Sequence, residues 1–361
     1  HHSVPSGFLA LCTENFEEPS ITPKSSESPE DYFGVSIWEG NGSSQSITDL
    51  DFSPDWVWLK ERNGAVYHQL ADAVRGNTKY LNSNTNSAEA TETTQITAFD
   101  SDGFSLGNKT NTNNNGDTYV SFNWKAGGAG SANTDGSINS TVSVNTTSGF
   151  SIVTYTGNGS SGATIGHGLG EAPEVVLVKK RSNSDAWSML HPNVQASKYM
   201  RLDTNAGEVN DNVFNNTRAG NDVFTVDSDG QVNGNGQTFV AYCFKKRRGF
   251  FTTGEFTANG QADGPFLFCG FKPAFVIIKR KTSTNDWFMF DNKTSSNNPT
   301  NAYLRANTDG AAGSYDWIDL VSNGIKIRNT SDGANSNGNT YLFFAWGQPL
   351  VGSNNIPSVA R

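Results

Sequence analysis

Apolar positions along this chain come in short runs with a period of two. Phe150-Ser-Ile-Val-Thr-Tyr155 puts Phe150, Ile152 and Thr154 on one face of an extended segment and Ser151, Val153 and Tyr155 on the other. Similar runs, rich in Val, Ile, Thr, Tyr, Phe and Trp, are separated by Gly, Asn, Asp and Pro, the pattern of strands joined by turns. Some runs do not alternate. Trp56-Val-Trp-Leu59, Val175-Val-Leu-Val178 and Phe275-Val-Ile-Ile278 are apolar throughout, which predicts central strands covered on both faces. Helical periodicity is nearly absent; one short helical turn is expected at His68-Gln-Leu-Ala-Asp-Ala-Val74.

These landmarks recur in the same order three times. Pro54, Pro173 and Pro273 each stand six residues before a lysine, Lys60, Lys179 and Lys279, with a continuous apolar run between. Asn115-Gly116, Asn235-Gly236 and Asn337-Gly338 each precede an aromatic by three, and Trp124, Phe244 and Trp346 stand five residues beyond it. Gly40-Asn-Gly42, Gly157-Asn-Gly159 and Ala258-Asn-Gly260 open the units. Repetition at this many places predicts three copies of one supersecondary unit.

The expected fold is therefore all-β: three tandem β-sandwich repeats of the jelly-roll or concanavalin-like kind, each about 100 residues with about six or seven strands. A leader or linker arm occupies 1–31, repeat one 32–126, a glycine-rich joint with a bridging strand 127–149, repeat two 150–247, repeat three 248–347 and a C-terminal tail 348–361. The joint predicts a loose contact between repeats one and two; the direct abutment of two and three predicts a tight one.

Composition narrows the function. The net charge of −9 argues against nucleic acid and against an anionic membrane surface. No apolar run reaches the roughly 20 residues of a spanning helix. Cys12, Cys243 and Cys269 are odd in number and have no CxxC spacing, so buried free thiols are expected, with a Cys243–Cys269 disulfide as the alternative.

Asp31-Tyr-Phe, Trp38-Glu-Gly-Asn-Gly42, Phe52-Ser-Pro-Asp-Trp-Val-Trp-Leu-Lys60, Asp72-Ala-Val-Arg-Gly76 and Asp102-Gly-Phe-Ser-Leu106 resemble a repeated domain of structural proteins in marine tailed phages. Phe150 to Gly159, Gly166-His-Gly-Leu-Gly170 and Ala262-Asp-Gly-Pro-Phe266 resemble its later copies, so the resemblance runs from Tyr32 to the tail. Pro5-Ser-Gly-Phe-Leu-Ala-Leu-Cys12 resembles the exit from a preceding SPRY-like domain. The resemblance implies the C-terminal part of a tail fibre or virion surface protein, located on the virion or its tail appendage. Its implied partners are other virion subunits, further copies of itself (a trimer) and a host glycan or protein. It implies no catalytic set and no cofactor.

The residues carry three candidate chemistries. A constellation repeats eight, twelve and about twenty residues after each lysine: His68, Asp72 and Tyr80; Trp187, His191 and Tyr199; Trp287, Asp291 and Tyr303. It reads either as a pocket with an aromatic platform or as a scaffold tie, and recurrence in every copy favours the tie. Asp100-Ser-Asp-Gly103 and Asp227-Ser-Asp-Gly230 open like calcium loops but lack the closing glutamate, so they are read as turns and no metal is assigned. An enzyme is not expected: nucleophile and metalloprotease motifs are missing, and Glu61, Asp72, Asp185 and Glu208, the carboxylates from which a glycan depolymerase, the lowest-ranked alternative, would draw its pair, are scattered. The contact surface is expected at the loop Asn292–Asn301, four residues longer than its counterparts, through Asn292, Lys293, Asn297 and Asn298 with Tyr315 and Trp317.

Overall fold

The computed structural model describes Ile21 and residues 27–348. The segment Pro5–Cys12 with its cysteine, the rest of the leader arm up to residue 26 apart from Ile21, and the tail beyond 348 lie outside the described residues. Within them the regular structure is nearly all strand, and one arrangement occurs three times. In the first unit the sheet order is Phe33–Glu39, Thr118–Trp124, Trp56–Glu61, Gln69–Asp72. The second runs Phe150–Thr156, Thr238–Phe244, Val175–Lys180, Ser188–Leu190, and the third Phe251–Thr257, Thr340–Gly347, Pro273–Arg280, Trp287–Asp291. A second layer faces each: Gln45–Ile47 with Gly103–Leu106 and Ile96–Asp100 in the first, Ala163–Gly166 with Val223–Val226 in the second, and in the third Phe266–Phe268 with Gly324–Ile327 and Gly313–Val321, which Thr300–Arg305 joins to the first layer as one eight-stranded sheet. Each unit is thus a β-sandwich.

The runs that are apolar on both faces are buried on both. In the first unit Val57, Leu59 and Tyr119 point between its own two sheets. In the second Val176, Val178, Phe239 and Ala241 do so, and in the third Val276, Ile278, Tyr341 and Phe343. The alternate residues of the same strands meet in a core drawn from all three units: Trp56, Trp58, Phe122, Trp124; Val175, Leu177, Tyr242, Phe244; Phe275, Ile277, Phe344, Trp346. Trp124, Phe244 and Trp346, matched by the repeat, form a triangle of rings. Their centroids are 6.2, 5.6 and 5.5 Å apart, and they meet at 65°, 74° and 74°. The matched four strands of the three units therefore pack face-in about a pseudo-threefold axis. An apolar cavity of about 30 Å³ remains among Trp56, Val175, Trp287 and their neighbours in this core. Val175 occupies the position that Trp56 and Phe275 fill with rings, opposite Trp124, Phe244 and Trp346 in their ladders.

The turns explain the repeated glycines. Gly116, Gly236 and Gly338 have φ of 82°, 71° and 75°, the left-handed region that favours glycine. The opening turn of each unit packs on that turn: a Cβ on Gly42, Gly159 or Gly260 would lie 3.3, 3.2 or 2.7 Å from the Cβ of Asn115, Asn235 or Asn337.

Two expectations are corrected. His68–Val74 holds no helical turn; Gln69–Asp72 is a strand buried along its whole length, because it pairs with Trp56–Leu59 inside the sandwich. The joint between units one and two does not loosen their contact. Ser131–Asn133 and Ser140–Asn145 add to the edge of the second unit's sheet, and across the seam Trp56 stacks on Tyr242 with ring centroids 4.2 Å apart.

Candidate functional site

The repeated constellation closes the ring of units. Eight residues past each lysine a ring nitrogen reaches a carbonyl of the neighbouring unit: Trp187 Nε1 donates to Asn82 O at 2.9 Å, Trp287 Nε1 to Arg201 O at 3.0 Å, and His68 Nε2 to Arg305 O at 3.0 Å. Trp58 Nε1 donates to His68 Nδ1 at 2.9 Å, which leaves the proton on Nε2 for that bond. Two residues past each lysine a carbonyl accepts an amide from the same neighbour: Arg181 from Glu89 at 2.8 Å, Lys281 from Glu208 at 2.8 Å and Arg62 from Ala312 at 2.7 Å. Two of the three lysines serve the same seams. Lys179 Nζ donates to Asn86, Lys180 and Asp185 carbonyls at 3.1, 3.1 and 2.8 Å, and Lys279 Nζ to Asn205 and Asn285 at 3.0 and 2.6 Å. Lys60 donates to Glu61 O and to Gly64 O, inside its own unit. Burial lowers Lys60 and Lys179 to about 8 and Lys279 to about 7.

The second position of the constellation reaches the neighbouring unit at two seams. Tyr242 OH donates to Asp72 Oδ2 at 2.8 Å, and Arg75 pairs with the same carboxylate. His191 Nε2 meets Thr253 Oγ1 at 2.6 Å, and its Nδ1 accepts from Asn193 N. Asp291 instead caps its own turn, accepting from Lys293 N and Thr294 N at 2.9 and 2.6 Å. The tyrosines stay local. Tyr199 OH donates to Gln231 and accepts from Arg201, Tyr303 OH accepts from Arg305, and Tyr80 pairs Ala90 in a short ladder. No aromatic platform is left open at these positions; they hold the scaffold.

A further repeated tie escaped the sequence reading. Asn113, Asn233 and Asn335 are 0% exposed, and each side-chain oxygen accepts an amide of the opening turn: Asn41, Asn158 and Asn259, at 3.0, 2.9 and 3.1 Å. Their signal was a second asparagine two residues before each Asn-Gly pair, easily lost in an asparagine-rich chain.

The scattered groups are engaged locally. Asp185 pairs with Lys180 at 2.5 Å and Glu208 with Lys198 at 2.6 Å, while Glu61, raised by burial, lies 3.5 Å from Tyr119 OH. His167 Nε2 donates to Gly220 O at 3.1 Å. Asp100 accepts from Ser105, and Asp229 caps the short helix Gly230–Asn233. Among the described residues no three His, Cys, Asp or Glu side chains gather as a metal site. Cys243 and Cys269 are free thiols, both pushed up to about 12 by burial.

The long loop of the third unit stands against the first unit and walls a groove of about 320 Å³. Asn292, Lys293 and Gln348 line one side, and Glu30, Asp49 and Asp51 the other. Asn292 and Gln348 also line a smaller recess of about 80 Å³ with Ser295, Ser296 and Asn298. Asn292 Nδ2 donates to Gln348 Oε1 at 2.9 Å, while its buried Oδ1 has no partner among the described residues. Burial and then the neighbouring Asp51 raise the Glu30 carboxyl. Lys293 and Asn297 are exposed. Asn298 clamps the loop to its strand, accepting from Leu320 N at 2.9 Å and donating to Leu320 O at 3.0 Å. Tyr315 is 51% exposed, but Trp317 is not a surface residue: it is 4% exposed and packs on Phe288, Phe290 and Tyr303. Of the two aromatics expected at the contact surface only Tyr315 faces outward; Trp317 turns into the core beside a shift of register between Thr300 and Ala302.

No curated protein and no solved structure matches this chain. Residues 28–349 match a family described as a domain of unknown function, DUF7483, and that single match spans all three sandwiches and the groove between the third and the first. The chain belongs to the DUF7483 family.

Proposed function

We propose that this chain is a virion structural protein, part of a tail fibre or receptor-binding appendage, that grips a host-surface glycan or protein through the groove beside Asn292–Asn301. The observation that carries the reading is the groove itself. It is walled by a loop four residues longer than its counterparts, and it presents Lys293, an Asn292 oxygen without a partner among the described residues and a carboxylate side of Glu30, Asp49 and Asp51. Mixed hydrogen-bonding groups on a rigid scaffold suit a polyhydroxylated ligand. In this reading the protein sits on the virion surface among other virion subunits, as a homo-oligomer that the phage resemblance makes a trimer. It carries no catalytic role and no cofactor.

An array of bacterial surface glycans, probed with the purified chain and with N292A/K293A, tests the proposal. Saturable binding that falls at least tenfold in the variant is expected; equal binding by both proteins would overturn the groove's role. The second reading, a spacer or decorating module without a ligand, is favoured by the exposed Phe266 and Phe268 on one strand edge. It predicts no glycan signal from either protein.

A further inference from the structure

The chain carries nine Asn-Gly pairs, the dipeptide in which a glycine amide, unhindered by a side chain, can attack the preceding carboxamide. Attack needs a glycine N–H without an acceptor and an asparagine side chain open to water. In six pairs the glycine N–H is already engaged. Gly42 and Gly159 donate to Asn113 O and Asn233 O at 2.9 Å each, and Gly260 donates to Asn335 Oδ1 at 3.4 Å. Gly116, Gly236 and Gly338 donate to Gly40 O, Gly157 O and Ala258 O, again at 2.9 Å. In Asn233–Gly234 the asparagine is 0% exposed and both ends of its carboxamide are bonded. In Asn323–Gly324 the glycine is buried and stands opposite Val321 in a hairpin.

Asn63–Gly64 differs from all of these. It lies in the turn after Trp56–Glu61, where the other units carry Arg181-Ser-Asn-Ser-Asp185 and Lys281-Thr-Ser-Thr-Asn285, without glycine. Asn63 is exposed, and the Gly64 N–H has no acceptor among the described residues. A Cβ at residue 64 would collide with Glu61 Oε1, so this turn requires the glycine. The Asn63 carboxamide is held at both ends: Oδ1 accepts from Thr118 N at 2.9 Å, and Nδ2 donates to Asp117 Oδ1 at 2.9 Å. The Thr118 donor draws charge from the carboxamide carbon and supports the oxyanion that forms there under attack.

We propose that Asn63 is a self-modifying site, converted by the Gly64 amide to an aspartate or isoaspartate that loosens the seam between the first and third units. The Gly64 nitrogen loses its proton to hydroxide and bonds to Asn63 Cγ. The Cγ–Nδ2 bond breaks, and Nδ2 takes up protons from water and leaves as ammonia. Water then opens the cyclic imide at either carbonyl; no other co-reactant enters. The new carboxylate stands where an amide donated to Asp117. Hydrogen bonds from Asn114 and Asn63 hold the Asp117 carboxyl below the usual carboxylate range, so two like charges meet. Their repulsion frees the turn from Thr118, and the adjoining seam bond from Ala312 N to Arg62 O goes slack with it.

The full chain, incubated in mildly alkaline buffer, is sampled by peptide mapping that separates asparagine, aspartate and isoaspartate. Position 63 should convert at least tenfold faster than any of the other eight pairs while the chain is folded, and the advantage should vanish in urea. No conversion at 63, or conversion no faster than at the others, would overturn the proposal. So would an equal preference in urea, because the fold would then not be the selecting agent. Asn63→Asp reads the consequence: amide exchange at Thr118 and Ala312 should quicken at least tenfold, and N63D/D117N should restore it. Unchanged exchange in N63D, or no recovery in the double variant, would contradict the loosening by charge.

Discussion

The seams between the units and the long loop of the third unit are built on opposite terms. At each seam the same positions do the same work: ring nitrogens from His68, Trp187 and Trp287 reach a neighbour's carbonyl, and a backbone bond follows at Arg62, Arg181 and Lys281. At Asn292–Asn301 the repeat is broken by four residues, and the added length stands over a groove rather than in a core. Repetition marks what the ring needs in order to close. Departure from repetition marks where the surface is free to acquire a contact.

The comparison breaks most readily at the axis. Trp124→Ala removes one corner of the aromatic triangle, and burial in a shared core predicts a loss of about 3–5 kcal/mol, measured as a shift in denaturant midpoint. The same change at exposed Tyr315 should cost within about 0.5 kcal/mol.

Acid is the next lever. Burial lowers His68 and His191 to about 3 from 6.5, and both lie at seams. Below pH 6.5 the unfolded chain takes protons that the folded chain refuses until about pH 3. Stability is therefore intact above pH 6.5 and falls as pH drops toward 3. The slope approaches about 1.4 kcal/mol per pH unit for each histidine. Denaturant midpoints between pH 7 and pH 4 check this; His191→Gln should remove one histidine's share of the slope.

A smaller effect is expected from Trp287→Phe, which keeps the ring but leaves the Arg201 and Thr204 carbonyls without their donor. The cost should be about 1–3 kcal/mol, read from the same unfolding curves. Smaller still is Val175→Ile beside the axial cavity, where one added methylene should stabilise by about 0.8 kcal/mol.

Much of this was legible in the sequence. Continuous apolar runs announced strands covered on both faces, and the lysine register located the latch residues before their partners were known. What covers the second face was not legible, because Phe122 and Tyr119 are equally apolar and only assembly sorts one toward the axis and the other inward. The strand at Gln69–Asp72 was mistaken for a helical turn because a segment buried on both faces has lost its period of two. Trp317 was placed outside because it adjoins Tyr315 in one segment beside the loop, whereas Trp317 to Leu320 are buried next to the register shift. The groove could be sensed only as surplus loop length, since its other wall comes from Glu30 of the leader arm and residues 33–51 of the first unit.

Thermal unfolding followed by calorimetry tests the shared axial core most directly. If one core holds the three sandwiches, the whole chain melts in a single transition whose calorimetric and van't Hoff enthalpies agree, and residues 150–247 expressed alone do not fold. Three separable transitions, or a stably folded 150–247 fragment, would contradict it.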